Sequence, residues 1–375
     1  MAIVLLFVQG KGFGTIDLNM RIGVFDPYLD DMGGGEKYML TIAQCLSSDN
    51  EVVLFWDNQE DLKKATERFS VDLSKIRIAK NIFSPQFGLL KRLLETKKYD
   101  AIIIISDGSI PFVLSKKLFI HIQQPIPNAK SDFKTRIKIK RIRKVFCNSY
   151  FTKSFVDKDF GVESLVVYPP IVLKPKKEKK ENIILHVGRF RVKNIAIGDY
   201  KKQGVMIKAF KSILKKGLQN WRFVLAVSIR DRDYEEFSKM KKETKGFPIE
   251  FLINKSNDEL WDIYSRAKIY WHAAGFGEDL ETHPEYAEHF GISTVEAMGA
   301  GAVPVVINAG GQKEIIEDGK NGLLWNTLSE LQEKTLMLTR EDKILEKMSK
   351  EAKKRANDFA GKRFCEEIKK IIEND

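Results

Sequence analysis

A chain of 375 residues with a formal net charge of +12 is too long for one ordinary core and suits two domains of roughly 150 to 200 residues each. Hydrophobic residues at 43%, charged residues at 30% and only 11 prolines exclude a disordered or fibrous chain, and no run of about 18 to 20 apolar residues supplies a spanning helix. The excess of cations favours anionic partners, whether phosphates, acidic lipid headgroups or nucleic acid, without choosing among them.

The opening MAIVLLFV is apolar but lacks a basic flank and is too short for the plan of a signal peptide. Met20 reads as the functional start, with residues 1–19 an extension of no catalytic consequence. A first strand follows over 21–25, then Met32-Gly33-Gly34-Gly35-Glu36-Lys37 directly before a helix with apolar Tyr38, Met39, Ile42, Ala43 and Leu46. Glycines at a strand-to-helix turn let backbone N–H groups approach a phosphate, and the helix N-terminus adds partial positive charge. A tight turn with no ligand is the plain alternative.

The second strand, 51–56, ends in Asp57, where a dinucleotide fold places its ribose-binding acid. Three consecutive glycines lack the G-x-G-x-x-G spacing, however, and Asp57-Asn58-Gln59-Glu60 also reads as a helix N-cap. Further strands are predicted at 101–105, 118–122 and 165–168. Between them, Lys134 to Lys144 contains seven cations and no acid; its isoleucines can seat in a membrane interface while the cations meet acidic lipids, or the segment is a solvated helix face. No aromatic-interleaved motif accompanies the charge, so nucleic acid is not indicated as a partner.

Pro169-Pro170 and the charged stretch 174–181 mark an exposed boundary. A second series of strands follows at 183–188, 222–228, 249–253, 268–272 and 303–307. Strands alternating with helices, twice over, predict an α/β protein with two parallel sheets and a cleft between them. The division is 20–172 for the first domain, 173–181 for the linker, 182–355 for the second domain and 356–375 for a last helix. Cys45, Cys147 and Cys365 lie far apart with no C-x-x-C, so neither zinc nor a disulfide is expected, and a reducing, cytoplasmic setting is the simple reading.

Gly188-Arg189-Phe190 closes the first strand of the second half, and Lys201-Lys202-Gln203-Gly204 opens a helix. Both place cations at the rim of the sheet where ligands of open α/β folds bind. Asp231-Arg232-Asp233 is a D-x-D, but a cap or solvated turn after the 222–228 strand suits it better than a metal site. The most specific segment is Glu288-His289-Phe290-Gly291-Ile292-Ser293-Thr294-Val295-Glu296. Two glutamates separated by seven residues across a loop and helix start can each accept hydrogen bonds from a vicinal diol, as in ribose or a hexose. Ala309-Gly310-Gly311 forms a second glycine turn after the 303–307 strand.

In order and spacing, Gly33 to Glu36, His121, Asn148 to Lys153, Val167-Tyr168-Pro169-Pro170, Gly188-Arg189-Phe190, Lys201, the glutamate pair and Gly310-Gly311 resemble the retaining glycosyltransferases of family 4, with the GT-B fold, over nearly the whole chain from Met20. The resemblance implies two Rossmann-like domains facing a central cleft, with the final helix crossing back to the first. It implies that Gly33, Gly34 and Gly35 touch a donor diphosphate that Arg189 and Lys201 neutralise, with Lys202 able to replace Lys201. Glu288 would bind donor-sugar hydroxyls and Glu296 the ribose, while Gly188 and the amides of Phe290, Gly291 and Ile292 complete the donor seat. His121 would line the reaction centre; a hydrogen-bonded histidine at a strand end is the plain alternative.

The implied reaction moves a hexose with retention from a GDP- or UDP-sugar to a glycan or lipid-linked acceptor, with no obligate metal and no cofactor. Glu288-His289-Phe290-Gly291 resembles mannosyltransferases that extend lipid-linked glycans, which leans the donor towards GDP-mannose. Two departures, the run 275–287 and the stretch 191–200, both fall near the donor. A nucleotide-sugar epimerase, an NAD(P)-dependent oxidoreductase using Asp57, and a non-catalytic sugar-binding protein are the rival readings.

Overall fold

Runs of Val and Ile with no polar interruption bury both faces of a strand, so they favour parallel sheets covered on each side by helices. The computed structural model describes residues 20–126, 137–191 and 199–373 and forms two such sheets. The predicted extension 1–19, residues 134–136 of the basic segment and 192–198 of the second departure lie outside the described residues.

The first sheet has seven strands in the order β3-β2-β1-β4-β5-β6-β7: β1 (Arg21–Phe25), β2 (Glu51–Phe55), β3 (Arg77–Ala79), β4 (Ala101–Ile105), β5 (Lys117–Ile122), β6 (Lys144–Cys147) and β7 (Leu165–Val166). All its pairings are parallel. The second has six, in the order β10-β9-β8-β11-β12-β13: β8 (Glu181–Phe190), β9 (Arg222–Ile229), β10 (Ile249–Ile253), β11 (Ala267–His272), β12 (Val303–Ile307) and β13 (Leu323–Trp325). It too is wholly parallel. β3, β6 and β13 were not expected from the sequence; β8 runs two residues further than predicted at each end, so that Arg189 and Phe190 extend the strand beyond Gly188.

Helices α1 (Gly34–Leu46), α2 (Gln59–Phe69), α3 (Leu89–Thr96) and α4 (Tyr150–Phe160) belong to the first half. The second half contributes α5 (Gln203–Lys215), α6 (Tyr234–Lys242), α7 (Asn257–Arg266), α8 (Ile292–Gly299), α9 (Gln312–Ile315), α10 (Leu328–Arg340) and α11 (Asp342–Ala356). The last helix, α12 (Gly361–Glu373), returns to the first sheet. Its Phe364, Ile368 and Ile372 are fully buried in the core that α1 and α2 also build, each contributing about 1.5–3 kcal/mol of transfer free energy.

Cys45 of α1 and Cys365 of α12 form a disulfide with Cα atoms 5.2 Å apart, which corrects the expectation of three unpaired cysteines. The two are 320 residues apart in sequence, and only the return of α12 brings them together. Cysteine placement therefore gives no argument for a reducing compartment. The basic segment is also corrected in part: Ile139 and Ile142 pack on the core of the first domain and are not offered to an interface. No helix among the described residues is long and apolar enough to cross a membrane.

Candidate active site

The carboxyl ends of both sheets converge on one cleft of about 620 Å³, a volume suited to a ligand of nucleotide size. Its first wall is the turn after β1. Gly33, Gly34 and Gly35 are there because other groups come too close for a side chain. A methyl on Gly33 would overlap Arg189 Nη2, one on Gly35 would overlap the Gln123 amide, and one on Gly34 would stand 3.1 Å from Ile292 Cδ1. Two of these neighbours come from the second domain, so the glycine turn is where the halves meet. Glu36 ties the turn to α1 by accepting the Gly33 N–H.

Across the cleft, Asp199 caps α5 by accepting the N–H groups of Gln203 and Gly204 at 2.8 and 2.7 Å. The cap fixes the turn that aims Lys201 inward. Lys201 Nζ lies 2.7 Å from Glu288 Oε2 and 4.6 Å from the centre of the Tyr200 ring. His272, at the end of β11, meets the same oxygen at 2.8 Å. Burial depresses the His272 pKa, so the ring is neutral and its Nε2–H donates to the carboxylate.

Burial alone would raise the Glu288 pKa, but Lys201 and His272 outweigh it and hold the carboxyl well below the usual range. Burial likewise opposes the Lys201 ammonium, yet the Glu288 charge wins and raises its pKa. The pair is thus ionised across the neutral range. Gly188 leaves the room this arrangement needs, since a Cβ there would stand 2.9 Å from His186 Nε2.

Glu296, one turn into α8, accepts from the Tyr264 hydroxyl at 3.1 Å. Burial raises its pKa, and Lys37 of α1 acts in the opposite sense. Gly291 has φ +124° and opens α8, a conformation few residues other than glycine adopt. The Gly310-Gly311 turn braces this loop: Gly311 N–H donates to the Glu288 carbonyl at 2.8 Å, and a side chain on either glycine would overlap the backbone of residues 288–290. Phe290 borders the cleft but is itself buried, its ring 5.4 Å from those of Tyr168 and Phe359.

The structure thus brings Gly33, Gly34, Gly35, Gly188, Arg189, Lys201, Glu288, Phe290, Gly291, Ile292 and Glu296 to one cleft. Two predicted residues are placed elsewhere. His121 is not on the cleft wall; it is fully buried, its Nδ1 is 3.1 Å from the Phe146 carbonyl, and its ring stacks 3.9 Å from Tyr38. Strand alternation turns it into the core, and burial lowers its pKa to about 3. Lys202, in a left-handed conformation at the α5 cap, is absent from the cleft wall and pairs with Glu278 of the 275–287 run. That run does not line the cleft.

The Asp57 carboxylate accepts the Asn81 N–H at 2.9 Å and is absent from the cleft wall, which leaves the NAD(P) reading without its ribose acid. Asp231 to Asp233 form a 3₁₀ turn, and among the described residues no group of three or more His, Cys, Asp or Glu is placed to hold a metal ion.

Sequence reasoning missed Arg68, Gln123 and His272. Arg68 and Gln123 line the cleft from the first domain; neither has a glycine frame to advertise it. It also missed part of the cleft wall, where Ile229, Leu252 and Leu260 supply apolar surface and Lys255 and Asn257 polar groups.

Residues 171–355 match the family Glycosyl transferases group 1. That stretch, just under half of the chain, carries the group 1 glycosyltransferase domain. Over the whole fold, the chain is similar to Anabaena HepE, solved with UDP and glucose, at a TM-score of 0.70 and 17% identity, covering 95% of this chain and 100% of that one. TarM gives 0.71 at 12% identity, covering 96% and 99%. Both likenesses establish the GT-B fold.

Among curated proteins, the chain is 29% identical over 230 residues to the Dictyostelium discoideum GDP-Man:Man(3)GlcNAc(2)-PP-Dol alpha-1,2-mannosyltransferase, covering 57% of this chain and 43% of that protein. The protein of the same name from Neurospora crassa is 26% identical over 273 residues, covering 61% and 45%. The chain spans less than half the length of these curated relatives.

Proposed function

We propose that this chain is a group 1 glycosyltransferase, a retaining hexosyltransferase that takes mannose from GDP-mannose and passes it to a lipid-linked glycan. The observation that carries the proposal is that Arg189 closes against Gly33 of the glycine turn while Lys201, held by Glu288, lines the same cleft, so that two cations and a helix N-terminus border one ligand space between two sheets. Charge grows on a nucleoside diphosphate as it departs, and preorganised cations and amides stabilise that charge most in the transition state. Arg189 and Lys201 carry that role, with the N-terminal amides of α8 beside them.

Glu288 binds donor-sugar hydroxyls, its position set by Lys201 and His272; Glu296 binds the ribose; Gly188, Phe290, Gly291 and Ile292 shape the seat. The cleft wall around Leu252 and Leu260 takes the base. Gln123 replaces His121 as the first-domain group nearest the transferred sugar. The domain division at 172 and 182 and a location at the cytoplasmic face of a membrane belong to the same reading. So does independence of metal, which unchanged turnover in EDTA tests.

The choice of GDP-mannose draws on the curated relatives, whose printed names specify GDP-Man and a PP-Dol acceptor. Incubating the chain with GDP-mannose and a polyprenyl-diphosphate oligosaccharide is expected to yield an α-linked mannoside and GDP. A β-linked product, or a sugar nucleotide epimerised without transfer, contradicts the reading.

A further inference from the structure

The first domain carries an amphipathic helix mounted with its apolar face outward. α3 reads Leu89-Leu90-Lys91-Arg92-Leu93-Leu94-Glu95-Thr96, which puts four leucines on one helical face. Leu89, Leu90 and Leu94 are 49%, 77% and 67% exposed, whereas Thr96 is buried and its hydroxyl oxygen accepts the Leu114 N–H at 3.0 Å. A surface helix normally buries its leucines; this one leaves three of its four largely in solvent.

The apolar surface continues past the helix. Beside it lie exposed Phe112, Leu114 and Ile137, and Lys138 Nζ sits 4.7 Å over the Phe112 ring, which joins the 106–116 loop to the basic segment. Half of the large hydrophobic residues exposed among the described residues fall in this one region. Around them Lys91, Lys97, Lys116, Lys140 and Arg141 are exposed. Nearby carboxylates are already matched, Glu95 by Lys98 at 2.6 Å and Asp100 by Lys116 at 2.7 Å.

We infer that this face docks on an anionic phospholipid bilayer. Leucines presented flat on a helix enter the headgroup and acyl boundary, and flanking cations stay in the headgroup layer, where each contributes through the negative surface potential. Charge complementarity is what selects this occupant: the cations Lys91, Lys97, Lys140 and Arg141 around an apolar centre fit a negative surface, and repel a second copy of that face. The basic segment supplies charge and α3 supplies the apolar insertion, since Ile139 and Ile142 are committed to the core. The inference deepens the lipid-linked reading above, though it stands on the surface itself.

The full chain is sedimented with vesicles of phosphatidylcholine alone and with phosphatidylglycerol added, in low and high salt, while GDP release from GDP-mannose is followed without vesicles. Pelleting is expected with the anionic vesicles and is expected to weaken with salt. Leu90→Ser and Leu94→Ser each weaken it by about tenfold, and Lys91→Glu weakens it by fivefold or more, roughly. Their side chains stand largely in solvent, so thermal unfolding and GDP release stay unchanged. A chain that stays in the supernatant overturns the inference, as do leucine variants that pellet like the parent. So does a dimer in solution that Leu90→Ser and Leu94→Ser dissociate, because the face then meets a second copy. Absent GDP release with intact pelleting counts against the transferase reading alone.

Discussion

At the scale of single residues, the cleft is governed by a shared carboxylate. Glu288 Oε2 takes hydrogen bonds from both Lys201 and His272, so His272 acts as a positioning residue. Replacing His272 with Phe is expected to lower kcat by roughly ten- to a hundredfold, by analogy with the loss of an outer-shell partner. Glutamine, which restores an N–H near Nε2, should recover part of it, and equal activities in both variants would contradict the role.

A second residue makes a pH prediction. Burial lifts the Asp26 pKa to about 8, with Glu36 adding to it. Because the unfolded carboxyl ionises near 4 while the folded one keeps its proton, the folded state binds more protons between those values. Stability therefore falls as pH rises through that window, by about 1 kcal/mol per pH unit. Asp26→Asn removes the penalty and should raise the melting temperature at pH 8 with little change at pH 4. A shift independent of pH would refute this. Of these residues, Glu288 was legible in the sequence through its glycine frame and its partner Glu296. His272 and Asp26 were not, because their importance comes from neighbours that only the fold supplies.

Among elements, the strands rich in Val and Ile declared themselves, while β3, β6 and β13, of three or four residues each, are too short to show a period. The apolar stripe of α12 was equally plain, but its disulfide to α1 was not, since two cysteines in separate helical patterns carry no sign of their distance. That bond clamps the last helix beside the helix that begins at the glycine turn. Cys45→Ser is expected to destabilise the chain by about 2–4 kcal/mol, read as a lowered denaturation midpoint, and to loosen α12 first in hydrogen exchange. An unchanged midpoint in the variant would show that packing of Phe364, Ile368 and Ile372 alone holds the helix.

For the whole molecule, the two sheets place their carboxyl ends against each other, and contacts across the seam keep them there. Arg230 pairs with Asp31 at 2.7 Å, and Glu314 accepts the Tyr150 and Phe151 amides at 2.8 and 2.6 Å. The doubled series of strands made this architecture visible from sequence. Which side chains would cross the seam was visible only for those in dense motifs, such as Arg189, and not for Arg68 or Gln123.

The most direct test of the account is GDP release from GDP-mannose by the parent chain and by Arg189→Ala. Arg189 is exposed at the strand end, so its loss leaves the core intact, whereas removing Lys201 would strand the Glu288 charge. The account predicts slow release by the parent, a fall of roughly a hundredfold or more in the variant, and equal unfolding temperatures. Equal rates of release in the two proteins would contradict it.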